Sequence, residues 1–218
     1  MSSNENGKRK GFLSKIVQKG KGSFSTVSNY TKSKYDEIGR KRDFNKLLNE
    51  GKKQLHLLNF DLAKKQLEEG IKILKTPPDL MKFGLEALFL LGYIYGHHEA
   101  NLEYLQQILG EIDQHFDDAE KGRYVSELKG IISYLQGKYK DMIVGLSPLC
   151  THKDASFAAN YYFGLALLHT EKVADALVYL KKAVQEEPDN VKLHELLSDA
   201  YIKLNQNDRA KIHLDIVY

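Results

Sequence analysis

After Phe44 the sequence is helical in character almost without interruption, and its interruptions come in two alternating kinds. Strong breaks fall at Thr76-Pro77-Pro78-Asp79, near Asp117-Asp118, around Ser147-Pro148 and at Glu187-Pro188-Asp189-Asn190. Softer ones fall at Leu58-Asn59-Phe60-Asp61, Gly96-His97-His98, Gln136-Gly137-Lys138, His169-Thr170-Glu171 and Asn205-Gln206-Asn207-Asp208. Pro, Gly and Asn/Asp clusters end helices because they lack a donor, favour special backbone angles or compete for backbone hydrogen bonds. The alternation predicts helix, short turn, helix, longer turn, repeated along the chain. Leu, Lys, Glu, Ala and Gln crowd this region, a composition that favours helix over strand and by itself supports an all-α bundle.

The net charge of +3 is a cancellation. Residues 1–42 carry eleven Lys and Arg against Glu5, Asp36 and Glu37, a local charge of +8, which leaves −5 on the remainder. A basic arm (1–43) on a mildly acidic body (44–218) suggests that the arm meets a polyanion: lipid headgroups, nucleic acid or the body itself. Residues 1–10 are polar and are expected to be disordered. From Phe12 to about residue 40, apolar residues recur at helical spacing with lysines between them, giving a basic amphipathic segment weakened by Gly20, Gly22 and the Ser/Thr-rich run 23–28. Phe12, Leu13, Ile16 and Val17 with Lys15 and Lys19 form the candidate membrane-contact set, apolar side chains for the headgroup boundary and ammonium groups for anionic lipid. The competing expectation is that this segment packs on the body as a cap. No run approaches the eighteen or so apolar residues of a spanning helix, and no secretory core is visible, so the expected location is cytoplasmic, peripheral at a membrane if the arm acts as a tether.

The helix pairs repeat. Asn160-Tyr161-Tyr162-Phe163-Gly164-Leu165-Ala166, followed by Ala176, Leu180, Ala183 and Pro188, resembles the tetratricopeptide repeat, a helix-turn-helix with a Leu-Gly pair in its first helix and small Ala residues in its second. Thirty-four residues later Ser198 stands in the Gly place with Tyr201, Ala210 and Leu214 following. Upstream, Gly51, Gly92 and Gly130 complete a series of anchors at 51, 92, 130, 164 and 198. The likeness is clear over 157–218 and degenerate over 44–156, with Tyr104 and Met142 at positions that count as the small Ala. The resemblance implies a solenoid of about five antiparallel helix pairs with a concave inner face, small residues sitting where paired helices cross.

Catalytic and metal signatures are weak. His194-Glu195-Leu196-Leu197-Ser198 lacks a second His, His97-His98-Glu99 reads as a solvated turn, Gly20-Lys21-Gly22 is no phosphate loop, and Cys150 reads as a buried thiol. No enzyme activity, cofactor or metal is expected. The family resemblance places ligand contacts on the first helix of each pair. Carried over, these are Lys52, Phe89, Tyr93, Glu127, Ile131, Tyr161 and Leu165, with His56, His97 and His169 at the far edge. Phe89 and Tyr93 lie in a stretch apolar on nearly every side, which reads equally as core. The positions a carboxylate clamp needs hold Leu48, Lys52, Tyr161 and Leu165, which disfavours a chaperone-tail receptor. At the other end Ile212, Ile216 and Tyr218 form a candidate apolar contact for self-association or a partner. The expected function is a non-enzymatic adaptor or scaffold for a protein or peptide partner, the alternative being a soluble chaperone-like or assembly factor whose arm is a cap; nucleic acid is disfavoured for want of a reading module.

Overall fold

A computed structural model describes residues 33–76, 78–152 and 154–217. The candidate arm residues Phe12, Leu13, Lys15, Ile16, Val17 and Lys19, and Tyr218 at the other end, lie outside the described residues. Ten α-helices follow one another: α1 over 33–56, α2 (Phe60–Leu74), α3 (Leu85–Tyr93), α4 (Leu102–His115), α5 (Asp118–Leu135), α6 (Tyr139–Cys150), α7 (Phe157–His169), α8 (Val173–Glu186), α9 (Val191–Lys203) and α10 (Asn207–Val217). A 3₁₀ segment, Pro78–Phe83, precedes α3, and no strand occurs among the described residues. The expected all-α array of five helix pairs is what forms. α1 runs without a break through 43–44; its residues 33–38 are exposed and Phe44 is its first buried side chain.

The pairs share one register. Each short turn contains a single residue in the left-handed region: Leu58, Ala100, Gly137, Glu171 and Asn205. In four turns the next N–H reaches back five residues, as in Lys138 to Ser133 at 2.8 Å and Lys172 to Leu167 at 2.9 Å, which closes the helix end and reverses the chain. The anchor glycines then sit against the returning helix. A Cβ on Gly51 would lie 2.9 Å from the Leu67 side chain, one on Gly130 3.0 Å from Leu146, and one on Gly164 2.8 Å from Leu180. These three leucines are wholly buried, so glycine is what lets a large apolar side chain cross the axis of its partner helix. Ser198, buried as well, takes the fifth place.

The second pair departs from this register, and the departure corrects two expectations. The stretch Gly96-His97-His98 is not a turn: α3 continues into a π segment, Ile94–His98, and the reversal comes at Ala100. A π segment inserts one residue into a helix. Accordingly the Asn101 N–H reaches back to Tyr95, one residue further than in the other turns. Counting therefore slips by one: the place of the small Ala belongs to Leu105, wholly buried, while Tyr104 is exposed. Leu105 is larger than the alanines at this position in other pairs, and Gly96 supplies the room, since a Cβ there would lie 2.8 Å from Leu105 and 2.6 Å from Ile131.

A third expectation also shifts. α6 does not stop at Ser147-Pro148 but carries Pro148 in its last turn and ends at Cys150. Proline there removes the donor that would face the Val144 carbonyl, and Val144 lies on an exposed face where water can serve that oxygen. The chain breaks at 151–156 instead, and Ser156 caps α7 by accepting from the Ala159 N–H.

A continuous core of buried side chains runs from Phe44 to Ala210. α7 is its central element, buried from Ala158 to Leu168 on every side. Cys150 is part of this core; its thiol faces the Ala159 carbonyl, and burial pushes its pKa up to about 12, so it is held as an unreactive thiol.

Candidate functional site

The first helices of the pairs form an inner layer in which α3 packs on α5, α5 on α7 and α7 on α9. Against this layer lies a groove of 410 Å³. α1 contributes Lys52 and His56 to it, α3 Phe89 and Tyr93, the π segment His97, and α5 Glu127. Phe157 at the start of α7, Glu186 and Glu187 at the end of α8, and Asn190 complete the wall. Lys52, His56, Phe89, Tyr93 and Glu127 were expected in a groove and are brought together in this one. The remaining four candidates do not line it, although Tyr161 packs beneath its floor. Ile131 is wholly buried against Gly96, Leu165 and Tyr161 are buried in α7, and His169 is exposed, stacked flat on Tyr139 at 3.9 Å.

The floor of the groove is aromatic. Tyr93 stacks on His97 at 5.0 Å, and His97 meets the edges of Tyr161 and Tyr162 at 5.6 and 5.7 Å. The His97 Nδ1 is hydrogen-bonded to the Tyr162 hydroxyl. Burial, aided by the neighbouring His98, lowers the His97 pKa to about 4, so its ring is neutral near pH 7. Phe157 extends the layer by stacking on Tyr161, and Phe89 tilts against Tyr124. Burial and the nearby Glu187 raise the Tyr93 phenol, and burial pushes Tyr161 up to about 12. Both hydroxyls therefore keep their protons and can donate.

Charge is placed at the two ends. At one, Lys52 donates to Glu86 at 2.6 Å in an exposed pair. At the other, Glu127 is only 2% exposed; its Oε1 accepts from Arg123 Nε at 3.0 Å. Glu186 accepts from the Phe157 N–H at 3.1 Å, and Glu187 from the Asn190 side chain at 2.7 Å. Burial first, then the proximity of Glu187 and Glu127, raises the Glu186 pKa.

Residues 167–217 match the family described as tetratricopeptide repeat. The chain's C-terminal repeats are tetratricopeptide repeats. The register of α7–α8, glycine facing leucine across the pair, is the one that α1–α2 and α5–α6 also keep, and α9–α10 keeps it with Ser198 in the glycine's place. Among solved structures, pilF of Pseudomonas aeruginosa superposes with a TM-score of 0.54 at 17% identity, covering 82% of this chain and 77% of that one. MamA from Desulfovibrio magneticus RS-1 gives 0.46 at 22% identity, covering 80% of this chain and 93% of that one. The pilF likeness supports the tetratricopeptide fold and nothing finer. No curated protein matches the sequence.

His97, expected at the far edge of a groove and in a solvated turn, is turned inward by the π segment. Phe157, Glu186, Glu187 and Asn190 were not among the groove candidates. Glu186 and Glu187 sit where one pair hands over to the next, a position that the first-helix rule does not sample. Ile212 and Ile216 of α10 are exposed, 62% and 48%, and stand apart from the groove. Among the described residues no group of three or more His, Cys, Asp or Glu could hold a metal ion, and no helix is long and apolar enough to cross a membrane.

Proposed function

We propose that this chain is a non-enzymatic protein-interaction adaptor that receives an extended or helical peptide of its partner in the groove between α1, α3, α5 and the α7–α8 ends. The observation that carries this reading is the wall itself: Phe89 and Tyr93 are half-buried on α3, beside the buried Ala87, Leu88 and Leu91, and they line an open 410 Å³ groove with charged side chains at both ends. Aromatic side chains set in a concave surface with polar flanks are the usual energetic centre of a peptide site. The tetratricopeptide fold supplies the concavity by stacking pairs with a constant small rotation.

The reading is tested with hexapeptides selected from a random display library on the immobilised full chain. Tyr93→Ala should weaken their binding by about 30-fold, the scale of a buried aromatic anchor. Ile212→Asp, on exposed α10, should leave binding within about two-fold. Selected peptides indifferent to Tyr93 would contradict the proposal.

A further inference from the structure

We propose that the α5–α8 end of the groove is a receptor for a guanidinium group, so that the partner peptide is anchored there by an arginine. The inference rests on the groove being the peptide site and adds the chemistry of its anchor. Its first support is Glu127. This carboxylate is 2% exposed, yet its Oε2 has no hydrogen-bond partner among the described residues, and Oε1 has only the Arg123 Nε. A buried carboxylate oxygen left unpaired is costly, and a donor arriving from the groove removes that cost.

The second support is the company Glu127 keeps. Glu186 and Glu187 bring two more carboxylates to the same wall, each with one oxygen already bonded, to the Phe157 N–H and to the Asn190 amide. They stand at the C-terminal end of α8, where the unpaired carbonyls add negative potential. Among the described residues Arg123 is the cation bonded to Glu127, and Lys52, at the opposite end, is paired with Glu86. Three carboxylates against one guanidinium leave the pocket short of positive charge.

The third support is geometric. Tyr93 and Phe157 flank the carboxylates. A planar guanidinium can lie against an aromatic ring while its fork of N–H groups reaches two acceptors at once; an ammonium can do only the second, and at one point. Aromatic walls beside several acceptors therefore select arginine over lysine. The chain's own first 32 residues carry seven Lys and Arg against Glu5, so they are a rival occupant by charge, but six of those seven are lysine.

The test uses the selected hexapeptides on the full chain. Arginine should be enriched at one fixed position, and replacing it with citrulline, the same shape without charge, should weaken binding at least ten-fold. Replacement by lysine should also weaken it, by at least three-fold. Glu127→Gln should reduce the arginine-to-citrulline ratio to under three-fold while citrulline peptide binding is kept, a result that misfolding would not give. Peptides that need Tyr93 but show no arginine preference would overturn the inference and leave the groove reading standing. Peptides that bind without Tyr93 would overturn both. Equal binding of lysine and arginine would overturn the choice of guanidinium. Displacement of the selected peptide by a synthetic peptide of residues 1–32, at equal affinity and lost in Glu127→Gln, would overturn a foreign partner as the occupant.

Discussion

Gly164→Val should lower the stability of the chain by about 2–3 kcal/mol and its melting temperature by roughly 4–12 °C, as read by calorimetry. The reason is local and crowded. A Cβ on Gly164 already lies 2.8 Å from the Leu180 Cγ and Cδ2 and 3.3 Å from the Leu180 backbone nitrogen, and Leu180 is wholly buried with no space to withdraw. Two further methyl groups must force α7 and α8 apart at the best-packed pair of the array. Leu180→Ala alone should cost about 2–5 kcal/mol through the cavity it leaves. Combined, the two changes should cost less than the sum of the singles, because the alanine vacates the space that the valine needs. Strict additivity would show that the anchor position does not act by close approach. Gly110, with nothing within 4 Å of an added Cβ, is the control: Gly110→Ala should be neutral or stabilising, since helix propensity favours alanine.

Acid should destabilise the protein through His97. The folded pKa of about 4 lies below the ordinary value of 6.5, so between these values the unfolded chain binds a proton that the folded chain refuses. The contribution is therefore complete above pH 6.5, falls as the pH is lowered towards 4, and changes little below that. Its full size is about 3 kcal/mol. His213 and His169, also lowered by burial and neighbouring positive charge, add to the slope with the same sign. Urea denaturation at a series of pH values measures the effect. His97→Gln, which can keep a hydrogen bond to the Tyr162 hydroxyl, should flatten the slope between pH 6.5 and 4 while leaving the other histidines' part. An unchanged slope would place His97 in water instead of between Tyr93 and Tyr162.

The repeat was legible because its physical demands are local. Glycine opposite leucine and a reversing residue seven positions on appear in the text as Gly130 with Gly137 and as Gly164 with the His169-Thr170-Glu171 break. What failed to show was a consequence of context. The π segment at Ile94–His98 leaves no composition signal; it is stabilised because Gly96 and Leu105 fit each other across the pair, a tertiary match between residues nine apart. That one inserted residue moved Tyr104 out of register and turned His97 from a presumed solvated turn into the middle of an aromatic layer. Pro148 misled for the opposite reason, since a proline in the last turn costs little when the freed carbonyl faces water.

The groove residues divide by the same logic. Lys52, Phe89, Tyr93 and Glu127 follow the first-helix rule, because α1, α3 and α5 curve around open space. Ile131 and Leu165 obey the same count but are covered, Ile131 by the close approach of Gly96 and Leu165 by the burial of α7 on all sides. Position within a repeat fixes the direction of a side chain from its own helix; whether a neighbour fills that direction depends on the size of residues elsewhere.

Hydrogen exchange of the full chain, with and without a saturating selected hexapeptide, tests the central claim most directly. Peptide binding in the groove predicts added protection over α3 with its π segment, the middle of α5 and the α8–α9 connection, where Tyr93, His97, Glu127 and Glu187 line one wall, and none over α10. Protection confined to α10, around the exposed Ile212 and Ile216, would contradict it.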